Sequence, residues 1–109
     1  MNTEWYLKQI EIVISSPLVD QYLVGITSNA ENRRRSYIAE KFSIFIMLDV
    51  NLKMNDALEI EKNLFDILVK GKKTSLFYKK YHKAKRDGHY HRSTGGRQEI
   101  SYSLYLAAF

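Results

Sequence analysis

Hydrophobic and polar positions divide the chain into seven segments. Leu7 to Ile14 alternates loosely and is rich in isoleucine and valine, which predicts a strand. Ser15-Ser16-Pro17 breaks it. Gln21 to Ile26 predicts a second strand, and the short connection predicts an antiparallel hairpin between the two. Phe42 to Val50 is the clearest strand, with Phe42, Ile44, Ile46, Leu48 and Val50 alternating with Ser43, Phe45, Met47 and Asp49. Both sets are largely apolar, so this strand is expected at the centre of the sheet, covered on both sides. Gln98 to Leu106 alternates again, with Ile100, Tyr102, Leu104 and Leu106 on one face, after a Gly95-Gly96 turn.

Three helices are predicted between these strands. One runs from about 29 to 38, opened by a Ser-x-x-Glu capping box at Ser28 and Glu31. A second covers Asp56 to Val69, with Asp56 and Glu59 able to form another box. A third starts at Thr74 or Ser75 and reaches about Arg86, where Gly88 is placed to end it. The predicted order is β-β-α-β-α-α-β. The fold class is α/β of the α+β type: a small mixed, mainly antiparallel sheet flanked by helices.

A length of 109 residues suits one compact domain. Its core is expected at about 7–70, followed by a basic extension at about 71–109. Apolar residues make up 45% of the chain, enough for a real core. With no cysteine, disulfides and thiolate zinc sites are excluded. No apolar run approaches membrane-spanning length and no signal-peptide pattern opens the chain. The expectation is a soluble cytoplasmic protein with no membrane partner.

Charge is uneven. The net charge is +5, and from Lys70 to Arg97 ten Lys or Arg face one acid, Asp87. Phe77, Tyr78, Tyr81 and Tyr90 interleave with Lys72, Lys73, Lys79, Lys80, Lys83, Lys85, Arg86, Arg92 and Arg97. Basic residues interleaved with aromatics form the electrostatic footprint of a nucleic-acid binder. The plain alternative is a solvated basic helix.

Two places carry candidate chemistry. Arg33 and Tyr37 stand at i and i+4, on one helix face just after a strand, where guanidinium and phenol could hold a phosphate. Glu61 lies on or beside the apolar stripe of Ala57, Ile60, Leu64 and Leu68. A carboxylate there needs a cation, a donor or a metal, and a neighbouring lysine or arginine would serve equally. His89-x-His91 could place two imidazoles on one side, and Ser93-Thr94-Gly95-Gly96 could form an anion nest or only a turn.

Leu23-Val24-Gly25, a turn, and an arginine eight residues after the glycine at Arg33 resemble the second half of the GIY-YIG nuclease signature. Tyr37 stands where the family often has an aromatic or histidine. Ala57 and Glu61 match the Ala-x-x-x-Glu setting of the family's metal-binding glutamate. The resemblance covers about two-thirds of the chain. It implies that Glu61 holds one divalent cation, Mg²⁺ or Mn²⁺, and that Arg33 binds the phosphate. Arg34 and Arg35 would grip flanking phosphates or stay solvated. The first motif, Gly-Ile-Tyr, has no counterpart at Ile10 to Ile14, and leucine occupies the second tyrosine position at Leu23. Tyr22 or Tyr37, or His82, His89 or His91, would have to replace the water-activating tyrosine; the family's late asparagine has no evident counterpart.

The expected function is a metal-dependent DNA endonuclease or nickase, and DNA versus RNA is left open by the residues. The alternative is a non-catalytic protein on the same scaffold that binds DNA, or an acidic protein surface to block a nucleic-acid enzyme. A structural subunit of a nucleoprotein complex is a third.

Overall fold

The structure, a computed structural model, describes residues 3–87 and 100–109. Within these, the elements are α1 Thr3–Ile14, β1 Tyr22–Thr27, α2 Ala30–Ala39, β2 Ile44–Leu52, α3 Met54–Leu68, α4 Leu76–Lys80, α5 Lys83–Asp87 and β3 Tyr102–Ala108. The fold is mixed α+β, five helices with a three-stranded sheet among the described residues. Strand order is β1-β3-β2, and each outer strand is antiparallel to β3. β1 and β2 therefore run parallel to one another with β3 between them. Residues Leu104 to Ala108 are at most 4% exposed, so the middle strand is covered on both faces. α3 packs across β1 and β3, α2 on β3, and α1 against α3 and α4.

The first predicted strand is a helix. Tyr6, Ile10 and Ile14 recur every four residues and are buried, with Leu7 and Val13 packed beside them. The apparent alternation rested on Ile12, which is 69% exposed. The helical period accounts for more burial and takes the segment. Pro17 then disfavours helix at Ser16, and Ser15 and Ser16 close the last turn on Glu11 and Val13 carbonyls. With no strand there, the expected hairpin does not form and β1 pairs with β3 from the far end of the chain.

β2 is an outer strand, not the centre. Of its residues only Leu48 is buried, and register shifts interrupt its pairing between Met47 and Asp49 and between Asp49 and Leu52. Asn51 takes φ 58° there, a left-handed conformation that asparagine tolerates. The apolar second face of β2 is met by Tyr37, whose ring lies 6.2 Å from Phe45.

The caps also differ. Asn29, not Ser28, caps α2 by accepting the Asn32 amide at 3.0 Å, and Glu31 turns to Arg34 and Arg35. α3 starts earlier than expected, at Met54 after Lys53, with no side-chain cap, so Asp56 and Glu59 form no capping box. The single helix expected to about Arg86 is two. Tyr81 is extended (φ −62°, ψ 140°) and bridges Tyr22 in parallel, while the His82 amide donates to the Tyr22 carbonyl at 2.7 Å. Helix continuity yields because the outer edge of β1 needs hydrogen-bond partners and the Tyr81 ring is buried against Tyr22 and Phe65. β3 begins at Tyr102; the Gly88 stop and the Gly95-Gly96 turn lie outside the described residues. No helix among the described residues is long and apolar enough to cross a membrane.

One hydrogen bond ties the first helix to the far strand: the Tyr6 hydroxyl donates to Asp49 Oδ2 at 2.6 Å. Burial first, then that bond and the Asp49 charge, push the hydroxyl up from 10.0 to about 12. The folded state holds this proton more tightly than the unfolded chain. Its stability contribution is therefore complete below pH 10 and lost as pH rises toward 12. Urea unfolding should show about 1–3 kcal/mol lost across that window, and Tyr6→Phe should flatten the decline. An equal decline in Tyr6→Phe would assign the effect to other groups.

Candidate functional site

The site lies where β1 ends and α2 begins. Thr27 Oγ1 accepts the Asn29 amide at 3.0 Å, and the Asn29 side chain then caps α2. This turn fixes the direction of α2 and with it Arg33 and Tyr37. Tyr37 packs inward: its ring meets Phe42 edge-on at 4.9 Å and Tyr105 at 5.7 Å. Arg33 stays exposed on the same helix, at the rim of a cleft.

The cleft has a volume of about 280 Å³. β1 forms its floor through Leu23 to Ile26; α2 contributes Arg33 and Tyr37; α3 contributes Glu61, Leu64, Phe65 and Leu68. Tyr81, Lys85 of α5 and Tyr105 of β3 complete it. Glu61 is half-buried, as its place beside the stripe of α3 requires. Apolar walls with a few convergent polar groups are the usual make-up of a ligand site.

Tyr105 is the residue that sequence reasoning missed. It sits on the central strand, directly opposite Gly25. Its ring stacks on Phe45 at 5.0 Å, and its hydroxyl is 3.1 Å from the Tyr37 hydroxyl. The reason for a glycine at position 25 is steric. A Cβ there would meet the Tyr105 Oη at 2.5 Å and Cζ at 2.7 Å. Burial pushes the Tyr105 phenol well above the ordinary range, and the Tyr37 hydroxyl adds to this. Arg33 pulls the other way and Glu61 pushes up, so the charges of both reach this hydroxyl. The sequence signal was Ser103-Leu104-Tyr105, a small residue, an aliphatic and a tyrosine within the last alternating stretch.

The structure brings together Arg33, Tyr37 and Glu61 of the candidates read from sequence. Tyr22 is fully buried and its hydroxyl donates to the Phe77 carbonyl at 2.8 Å, so it serves packing. Arg34 and Arg35 both pair with Glu31, at 2.7 and 3.3 Å, and are exposed. Lys72, Lys73, Lys79 and Lys83 are exposed. Lys80 instead donates to the Ile14 and Ser16 carbonyls at 2.6 and 3.1 Å, closing the end of α1. Arg86 lies 4.5 Å over the Tyr78 ring and bonds the Tyr78 carbonyl and Asp87. His82 stacks on Phe42 and accepts the Lys85 amide at Nδ1, 3.4 Å away. Arg92, Arg97, His89, His91 and the Ser93 to Gly96 stretch lie outside the described residues.

No group of three or more His, Asp or Glu among the described residues is placed to hold a metal. Glu61 is the one carboxylate lining the cleft among them. Among the described residues there is therefore no self-contained cation cage. One carboxylate does fit a hard cation that keeps most of its waters and takes its remaining oxygens from a phosphate. Compared with protein-family models, curated proteins and solved structures, the chain gives no significant match.

The Gly25–Tyr105 contact yields a direct test. Gly25→Ala forces the ring off Phe45 or bends β1, which should cost about 1–3 kcal/mol in chemical unfolding. It should also change the near-ultraviolet circular dichroism of the tyrosines. Unchanged stability and spectrum would mean that the ring has room to move.

Proposed function

We propose that this chain is a metal-dependent nuclease that hydrolyses phosphodiester bonds in DNA. Arg33, Glu61 and Tyr105 are its working groups. The observation that carries this reading is their convergence, with Tyr37, on one cleft from three separate elements. The resemblance to the GIY-YIG signature lacked a first-motif tyrosine. Tyr105 supplies one from the other end of the chain, on the strand antiparallel to Leu23-Val24-Gly25. In this reading the first motif has moved to the C-terminal strand, with Ser103-Leu104-Tyr105 in place of Gly-Ile-Tyr.

Each residue has a task that its surroundings permit. Arg33 has no ion pair among the described residues, unlike Arg34 and Arg35, and its guanidinium binds the non-bridging phosphate oxygens. The same charge stabilises what builds up on those oxygens as water attacks phosphorus and the P–O bond to the leaving group breaks. A phenol keeps its proton at neutral pH and burial raises Tyr105 further, so it orients the attacking water by hydrogen bonding rather than as a phenolate. Tyr37 fixes that hydroxyl from the other side. Glu61 would hold Mg²⁺ or Mn²⁺, which when bound supplies Lewis-acid stabilisation of the phosphate. The net charge of +5 and the exposed lysines after α3 draw in the polyanion.

The test is a supercoiled-plasmid assay with Mg²⁺ and with EDTA, on wild type, Arg33→Ala, Glu61→Ala and Tyr105→Phe. Wild type should nick or linearise DNA only with the metal. Each variant should lose about 100-fold or more in rate while still binding DNA. Parallel RNA substrates decide the nucleic acid. Wild type that binds DNA with a steep salt dependence yet cuts nothing would overturn catalysis and leave a binding protein.

A further inference from the structure

The cleft holds a second cation that the proposed reaction does not need. Lys85 reaches it from α5. A helix of five residues has little stability of its own. α5 is held in place by its neighbours instead: Tyr81 bridges Tyr22, and the His82 amide bonds the Tyr22 carbonyl at 2.7 Å. The Lys83 amide bonds Gln21 Oε1 at 3.1 Å, and the Arg86 guanidinium is pinned on Tyr78. The short helix is thus fastened along the outer edge of β1, and Lys85 is the member of its basic run that lines the cleft.

The charges point to the ligand. Arg33 and Lys85 against Glu61 leave the described lining with an excess of one positive charge. A single phosphodiester carries one negative charge, and Arg33 and Lys85 are two separate cations from different elements, one partner for each of two phosphates. Adjacent elements also bring the cations in from different directions: α2 follows the end of β1, whereas the run into α5 is fixed at its beginning.

We propose that Lys85 binds the phosphate next to the scissile one, so that the site takes a strand with consecutive phosphates rather than an isolated diester. This rests on the nuclease reading for the identity of the scissile phosphate. The subsite itself is open to test without cleavage.

The experiment is an NMR titration in EDTA with two thymidine oligomers, TpT with one phosphate and TpTpT with two. Proteins compared are wild type, Lys85→Ala, Lys85→Arg and Lys8→Ala, the last an exposed α1 lysine that controls for net charge. Wild type and Lys8→Ala should bind TpTpT about tenfold more tightly than TpT, the scale of one charge-assisted contact. Lys85→Ala should lose that advantage, and Lys85→Arg should keep most of it. If Lys85→Ala retains the advantage, or wild type has none, the subsite is overturned even where plasmid cleavage is observed. If the advantage depends on Lys85 while no plasmid is cut, the two-phosphate subsite stands and the nuclease reading falls.

Discussion

β3 is the constraint on which the rest depends. It is hydrogen-bonded along both edges, and Leu104 to Ala108 are buried on both faces. A tyrosine in such a strand has few places to put its ring. Tyr105 lies against Phe45 of β2 and Tyr37 of α2, and its hydroxyl end comes up against β1 where Gly25 has no side chain. The pairing register, Gly25 opposite Tyr105, thus determines which hydroxyl reaches the cleft. A slip by one residue would turn the ring to the other face and put Leu104 or Leu106 in its place. Sheet register therefore places Tyr105 in the candidate site, while the turn after β1 places Arg33 and Tyr37.

What the sequence made legible was local. The strand before Arg33, the turn, and the i,i+4 pair of Arg33 and Tyr37 all fall within one short stretch, where neighbours in sequence are neighbours in space. The stripe of α3 placed Glu61 beside the buried face by its period alone, and the structure has it half-buried there. What was not legible was the partner of β1. Gly25 and Tyr105 meet across most of the chain, and period-2 alternation says which residues share a face but not which strand lies alongside. Two other misreadings had the same root. Ile10, Ile12 and Ile14 fit both a strand and a helix, and burial by α3 and α4 settled the choice. Tyr81 breaks its helix because β1 offers an edge, which nothing near Tyr81 in sequence records.

The basic run shows how much a charge count hides. Read from sequence, its lysines and arginines are equivalent. In the fold Lys80 caps the carbonyls at the end of α1, and Arg86 braces α4 against α5 through the Tyr78 ring and carbonyl. Neither is free to follow a phosphate backbone. Both help to set the position of α5, where Lys85 lines the cleft. Part of the positive charge thus builds the platform, and another part is displayed on it.

The same distinction bears on the tyrosines. Tyr22 and Tyr105 are both buried and both held protonated by that burial. Their difference is in what surrounds the hydroxyl. Tyr22 donates to the Phe77 backbone carbonyl, so its polar end is already satisfied. Tyr105 shares its hydroxyl with Tyr37 at the cleft, within the fields of Arg33 and Glu61. A neutral phenol is both donor and acceptor. One hydrogen bond to Tyr37 leaves capacity for a second, and the ring lines the cleft. The burial that raises the Tyr105 phenol also fixes its ring, so its hydroxyl stands at the cleft as a neutral donor and acceptor in a set position.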